Sequence, residues 1–474
     1  MPLSREVENM LGIGKSDTRN FESLCSGVRH VVAVPFPGQG HINPMMHLCK
    51  RLASKGAAIS FVVTKEWVGF MSGQPIPPNV RLCPIPNVIP SELNRSADWT
   101  GFIEAVSTKM EEPFERLLVG LLETEERPVS VVIVDVFMPW AADVAERRGI
   151  PVAVLFPMAS AIFSIYYHFD LLFSKGHFSG SSTVSQEEHV DYLPGVSLTR
   201  ILDLPHVGGR EEAQQRARCL QFFQQFQQVN FILIYSFYEL ESPTIDALHA
   251  LLPRGHIFPV GPLIPLPQEN EFKTNARPEV DCSSWLDSQP HGSTLYVSLG
   301  SLVTVPDRQM MELAFGLIES EIRFIWVARD PTRNLRDMCK DNGLVVTWCS
   351  QSKVLRHPSI GGFLTHCGWN STMEAVLAGV PMLTFPINFD QPMNSKLVTD
   401  DWKVGLRVRS GPMGENELVG RGEIASLVRR LFDGEESKEM RRRIEKLKEA
   451  GLKTFERGGS SDISLNAFLE SLDC

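Results

Sequence analysis

The first strand-like run of this 474-residue chain, Val31–Phe36, leads into Pro37-Gly38-Gln39-Gly40-His41-Ile42-Asn43-Pro44. The segment puts a histidine at the tip of a strand-to-helix turn. An imidazole titrates near neutral pH and is suited to take a proton from a substrate hydroxyl. Such a base gains from a carboxylate that orients its ring and stabilises the imidazolium. Asp135 is the candidate, because it interrupts the apolar strand Val131–Phe137 near its carboxyl end. A buried aspartate is costly unless paired, and parallel strands bring their carboxyl ends to one edge. The bland alternatives are a loop histidine and an aspartate bonded to nearby backbone N–H groups. Asp143, in the following helix, is less well placed.

A second constellation runs from Trp348 to Gln391. The strand Gly362–Thr365 is followed by His366-Cys367-Gly368-Trp369-Asn370-Ser371 and a helix from about Ser371 to Ala378. Glycine and small polar residues before a helix leave backbone N–H groups pointing outward, and the helix dipole adds to their pull on an anion. His366, Asn370 and Ser371 add side-chain donors, so a diphosphate fits. Glu374 lies four residues after Asn370 on the same helix face, where a carboxylate accepts from two ribose hydroxyls. Trp348 leaves its strand at the carboxyl edge and can stack on a base. Gln351 follows one turn on with a donor and an acceptor. Asp390 and Gln391 follow the next strand and suit the hydroxyls of a sugar. Each residue has a bland reading as core, cap or solvated acid. Their occurrence together, in order and at strand ends, is hard to produce from packing alone.

These residues need elements to hold them. In the first half, strand-like runs (Val31–Phe36, Ala58–Thr64, Val80–Ile85, Val131–Phe137, Pro151–Phe156, Phe231–Phe237, Ile257–Gly261) alternate with helical stretches such as His41–Ser54, Phe102–Glu123, Met158–Phe173 and Arg210–Gln228. After the Pro-, Asn- and Glu-rich stretch the alternation restarts with Thr294–Leu299, Phe324–Val327, Leu344–Trp348, Gly362–Thr365, Met382–Pro386 and Gly405–Val408. Several strands are apolar on successive residues, as strands buried on both faces of a parallel sheet are. The expected class is α/β, with doubly wound parallel sheets in tandem. The expected divisions are a partly disordered lead-in over 1–28, a domain over 29–261, a linker over 262–281, a second domain over 282–455 and a terminal helix over 456–474.

The composition sets further limits. A net charge of −10 without a basic block argues against nucleic acid or an anionic membrane surface as partner. The nine scattered cysteines form no CxxC, which speaks against a disulfide framework or a zinc site and for a reducing cytoplasm. No run reaches the ~18 apolar residues of a membrane helix. There is no D-x-D sequence to bridge a metal and a diphosphate, and no G-x-S-x-G elbow for an acyl-enzyme hydrolase. The two glycines before His41 lack the third glycine of a dinucleotide fingerprint, Asn43 standing there instead, so a nicotinamide-dependent oxidoreductase is a weak alternative.

Trp348–Gln391 resembles the signature segment of plant secondary-product glycosyltransferases, the family-1 UDP-sugar enzymes with the two-domain GT-B fold. The matching residues are Trp348, Gln351, Leu355, His357-Pro358, His366 through Ser371, Glu374, Gly379-Val380-Pro381 and Asp390-Gln391. Ser284 through Asp287, Tyr296 through Ser301 and Gly458 through Ser461 extend the match. The resemblance implies two Rossmann-like domains facing across a cleft, the first binding the acceptor and the second UDP-sugar, with the terminal helix packing back on the first. It implies that Trp348 stacks on uracil, Gln351 helps hold the nucleoside and Glu374 binds the ribose. His366, Asn370, Ser371 and Ser301 would bind the diphosphate, with a main-chain contribution near Trp369. Asp390 and Gln391 would bind glucose, the pairing of Trp369 with Gln391 matching UDP-glucose users. His41 and Asp135 match the catalytic pair of a single inverting displacement that needs no metal or other cofactor. The expected partners are a UDP-sugar donor and a small lipophilic acceptor (phenolic, flavonoid, terpenoid or hormone), acted on by a monomer. A catalytically silent sugar-nucleotide binder is the alternative that intact His41 and Asp135 argue against. Phe156, Phe163, Tyr166, Tyr167, Phe222, Phe223 and Phe226 are candidate acceptor-pocket aromatics. Three departures from the family stand out: Phe156-Pro157-Met158-Ala159-Ser160 in place of a Thr/Ser pair, Leu299 for Phe, and Cys349-Ser350 for Ala-Pro.

Overall fold

The computed structural model describes residues 29–95, 97–124, 127–177, 188–205, 229–252, 256–265, 278–300, 305–328, 333–411 and 418–473. Ser301, the lead-in over 1–28, the Arg210–Gln228 stretch with Phe222, Phe223 and Phe226, and most of the 262–281 linker lie outside the described residues. The chain divides into two compact units. One comprises Met1–Tyr166, Arg218–Ala276 and Leu452–Cys474, and the other Tyr167–Ala217 and Arg277–Gly451.

The strands of the first unit are β1 (His30–Val34), β2 (Ala58–Thr64), β3 (Val80–Ile85), β4 (Val129–Asp135) and β5 (Val152–Phe156). After a short antiparallel pair that belongs to the other unit, β6 (His189–Val190) with β7 (Thr199–Arg200), come β8 (Phe231–Ile234) and β9 (Ile257–Pro259). They form one parallel sheet in the order β3-β2-β1-β4-β5-β8-β9. Residues 131–134 of β4 are fully enclosed, which is why a run of four β-branched residues needs no polar alternation. The helix Ser460–Ser471 packs on the far edge of this sheet. Its Phe468 ring lies 5.5 Å from both Phe231 and Phe258, and Ser461 donates to the carbonyl of Gly261.

The second unit carries β10 (Thr294–Ser298), β11 (Arg323–Val327), β12 (Gly343–Val346), β13 (Ile360–Thr365), β14 (Met382–Thr384) and β15 (Gly405–Arg407). Their order is β12-β11-β10-β13-β14-β15, again all parallel. In both sheets the winding reverses direction beside the first strand, between β1 and β4 and between β10 and β13. Connections leave such a reversal in opposite directions, so a crevice opens at the carboxyl ends, and ligands of doubly wound sheets bind there.

Two of the predicted long helices are broken. Phe102–Glu123 is two helices, Trp99–Lys109 and Glu111–Thr124; Pro113 lacks the N–H an interior position needs and sits in the first turn of the second. Met158–Phe173 is likewise Ser160–Tyr167 and Phe169–Ser174. The start of Ser160–Tyr167 is held by buried Glu241, whose carboxylate accepts from the N–H of Ser160 at 2.8 Å and of Ala161 at 2.9 Å. Burial raises the Glu241 carboxyl above its ordinary range, and these hydrogen bonds oppose the shift.

Residues 167–217, expected with the first domain, cluster with the second unit. An ionic tie is one of the contacts that join this segment to the second unit. Asp203 is enclosed, and its carboxylate meets Arg407 at 2.6 Å and Arg200 at 2.9 Å. A buried carboxylate is tolerated only with such partners, and Arg407 stands on β15. Asp203→Ala is expected to cost about 3 kcal/mol, since it removes the buried anion that Arg200 and Arg407 share and leaves Arg407 only the more exposed Asp400. A fall in the urea midpoint of the intact chain, with faster proteolysis near 188–205, checks this.

Candidate active site

His41 lies in the first turn of the helix Gln39–Ser54, seven residues after Val34 ends β1. Asp135 is the last residue of β4, the strand paired with β1, with Val34 opposite Val134. The two residues, 94 apart in sequence, meet: His41 Nδ1 lies 2.8 Å from Asp135 Oδ2. The second oxygen of Asp135 accepts from the N–H of Phe137 at 3.0 Å. The carboxylate is fully enclosed, whereas the imidazole keeps 22% of its surface. Phe36 and Phe137 hold the ring from two sides, with centroids at 5.0 and 5.4 Å. Nδ1 is thus committed to the carboxylate, and Nε2 is the nitrogen left to exchange a proton with a substrate.

In the second unit, the strand before Trp348 ends at Val346, two residues earlier than predicted. Trp348 is half-buried, and its carbonyl accepts from the N–H of Val280 at 2.9 Å. Ser350, one of the departures, accepts from Lys353 N and caps the helix Gln351–Leu355. Gln351 is the centre of a polar cluster. Its Nε2 donates to Glu374 Oε2 at 2.6 Å and to Ser371 Oγ at 2.9 Å, and Tyr296 donates to its Oε1 at 3.3 Å. Burial pushes the Tyr296 phenol well above its usual range, so it remains a donor. The structure therefore gathers Gln351, Ser371 and Glu374 from two helices into one connected patch.

The helix after β13 runs from Trp369 to Ala378, starting two residues before the predicted boundary. Asn370 and Ser371 consequently lie in its first turn, and no side chain caps that end. Gly368 and Gly300 close on the His366 ring from two sides. A β-carbon on Gly368 would fall 2.5 Å from His366 Nε2, and one on Gly300, whose φ is +82°, 2.7 Å from it. Glycine at both places lets the imidazole lie against the backbone at the helix start. The Trp369 indole is buried, 6.2 Å from Trp402, so it is the backbone of this residue that stands at the helix start. Asp390 precedes the helix Gln391–Lys396. Gln391 Oε1 accepts from the N–H groups of Ile387 at 2.8 Å and Asn388 at 3.0 Å, which leaves Nε2 as its donor end.

Of the candidate pocket aromatics, Phe156 and Phe163 are core residues packed edge to face at 5.3 Å, while Tyr166 and Tyr167 are half-buried. Roles for Tyr296, Gly300, Phe36 and Phe137 went unread in the sequence. Tyr296 and Gly300 stand in a segment that resembles the family, but only packing shows what they touch. Among the described residues no group of three or more His, Cys, Asp or Glu is placed to hold a metal ion. No helix among them is long and apolar enough to cross a membrane.

Two doubly wound units, one with a His–Asp pair and the other with an anion-ready helix start beside a Gln/Ser/Glu patch, point to an enzyme of nucleotide-linked substrates. Residues 258–427 match the family described as UDP-glucoronosyl and UDP-glucosyl transferase, and residues 28–69 match the glycosyltransferase N-terminal domain. The chain is 42% identical to UDP-glycosyltransferase 87A2 of Arabidopsis thaliana, over 95% of this chain and 98% of that one. It resembles the structure of Os79 from O. sativa in complex with UDP, with a TM-score of 0.79, 27% identity and coverage of 93% and 100% of the two chains. Phytolacca americana UGT2 complexed with UDP-2fluoro-glucose and pterostilbene gives 0.78, 28%, and coverage of 94% and 100%. The chain belongs to the UDP-glycosyltransferases: it is an enzyme that moves a sugar from a UDP-sugar to a small acceptor.

Proposed function

We propose that this enzyme transfers glucose from UDP-glucose to a hydroxyl of a small lipophilic acceptor, in the cytoplasm, with inversion and without a metal ion. The observation that carries the reading is the 2.8 Å contact between His41 and Asp135 in a chain of this family. His41 Nε2 takes the proton from the acceptor hydroxyl while that oxygen forms a bond to the anomeric carbon. The bond from that carbon to the diphosphate oxygen breaks, and the pair of electrons leaves with UDP. Attack opposite the leaving group inverts the centre. Asp135 holds the imidazolium until the proton passes to solvent.

Trp348 stacks on the base in this reading, and Gln351 and Glu374 take the nucleoside's polar groups. His366, Asn370, Ser371 and the backbone at Trp369 meet the charge that grows on the diphosphate. Ser301 is assigned there on its place in the motif. Asp390 accepts from glucose hydroxyls and Gln391 donates to them. UDP-2fluoro-glucose and pterostilbene on the Phytolacca enzyme support a glucose donor and a small acceptor. Six described cysteines are free and buried, in keeping with a reducing compartment.

An acceptor screen with UDP-glucose, read as UDP release and as product mass, tests the reading, and proton NMR of the product gives the configuration. A β-glucoside is expected, and turnover is expected to be unchanged by EDTA. An α-glucoside, or UDP-glucose consumption reversibly abolished by EDTA, overturns the mechanism. Glu374→Ala removes the acceptor of Gln351 and of the ribose. It is expected to raise the KM for UDP-glucose about tenfold with a smaller change in kcat, which steady-state kinetics checks.

A further inference from the structure

Asn394, in the helix that Gln391 opens, was not among the candidate residues. It is fully buried. Its Nδ2 donates to Asp390 Oδ2 at 2.7 Å and to the carbonyl of Cys367 at 2.9 Å. Both neighbours are acceptors, so the amide must turn its NH2 toward them, and an NH2 group has one N–H for each. The amide oxygen, by contrast, has no hydrogen-bond partner. A leucine would fill the same space without burying an unpartnered oxygen. Packing therefore does not explain an asparagine here, whereas the two donated bonds do.

The two ends of this bridge belong to different parts of the donor site. Cys367 lies in the loop between β13 and the helix start, held in the left-handed region at φ +66° with its N–H on Thr365 Oγ1 at 3.1 Å. Asp390 is the residue assigned to the hexose. Lys396, the cation of the same helix, is committed elsewhere, to both oxygens of Asp401 at 2.7 and 2.8 Å. Gln391 is already fixed from behind by the backbone of 387 and 388. Asn394 does the same for its neighbour.

We propose that Asn394 is a positioning residue for the donor sugar: it locks the Asp390 carboxylate to the Cys367 loop and so sets which hydroxyls that carboxylate meets. The inference rests on the reading of Asp390 as a glucose contact. UDP lacks the hexose, so it reports on the loop alone. UDP-galactose differs from UDP-glucose in one hydroxyl's orientation, so it reports on the carboxylate.

The test is a double-mutant cycle in the full chain of Asn394→Ala and Asp390→Ala, with UDP inhibition and thermal midpoints measured alongside. Asn394→Ala is expected to lower kcat/KM for UDP-glucose about tenfold, to leave inhibition by UDP within about threefold, and to cut the preference over UDP-galactose about fivefold. The double variant is expected to be no worse than Asp390→Ala, because Asn394 acts through that carboxylate. Should Asn394→Ala fail to fold, Asn394→Ser retains one donor and gives the same comparison. Equal weakening of UDP and UDP-glucose, or additive losses in the cycle, overturns the proposal. If Asp390→Ala is itself without effect, the sugar role of Asp390 fails first and the positioning role with it.

Discussion

His41→Ala is expected to lower kcat by about 10²- to 10⁴-fold, the range over which a positioned general base acts. The KM for UDP-glucose should change little, because the donor residues stand in the other unit. The loss should depend on the acceptor. An acidic phenol needs less help in shedding its proton than an aliphatic alcohol, so it should lose less. Raising the pH toward the phenol's own ionisation, about 10 for an unactivated phenol, should restore part of the rate for phenolic acceptors only. Stopped assays across an acceptor series, with circular dichroism to verify folding, check this. Near-normal turnover of His41→Ala with an aliphatic alcohol would remove histidine as the base.

Asp135→Asn tests the other half of the pair, and the geometry gives the sign. One oxygen of Asp135 accepts from Phe137 N at 3.0 Å and the other faces His41 Nδ1 at 2.8 Å. An asparagine has a single oxygen. If it keeps the backbone bond, its NH2 faces Nδ1, which must then become the acceptor. The ring proton moves to Nε2, the nitrogen that has to take the acceptor's proton, and the base is lost. A fall in kcat of about 10²-fold or more is expected, as for other His–carboxylate pairs forced into the wrong tautomer. The double variant His41→Ala/Asp135→Asn should be no slower than His41→Ala, since Asp135 works only through the ring. ¹⁵N chemical shifts of the imidazole would read the tautomer directly. A variant that keeps full activity with Nε2 protonated would overturn the assignment of roles.

The strands were legible because each carries its own signal. Runs such as Val131–Val134 are enclosed in the sheet, and their unbroken apolar character shows in any window of sequence. Helix ends were less legible. The breaks at Met110 and His168, and the start at Trp369 rather than Ser371, depend on caps and neighbours that periodicity does not see. The site was legible as a set of residue types at strand ends, and the resemblance supplied their expected roles. Trp369 shows the limit: the letter in the motif is the same whether the indole faces a ligand or, as here, packs near Trp402.

From sequence alone came the α/β class, the two runs of alternating strands and helices, and the residue types at the strand tips, because burial pattern and turn chemistry are local properties. Tertiary structure decided the rest through contacts between distant residues. It set His41 Nδ1 against Asp135 Oδ2, the pairing the strand ends suggested, tied the segment around Asp203 to β15 through Arg407, and placed Asn394 between Asp390 and Cys367. Apart from the His41–Asp135 pair, a lone side chain in sequence does not show which acceptor or charge will lie within 3 Å of it. The parallel order of the strands and the cost of burying an unpaired polar group settle that together.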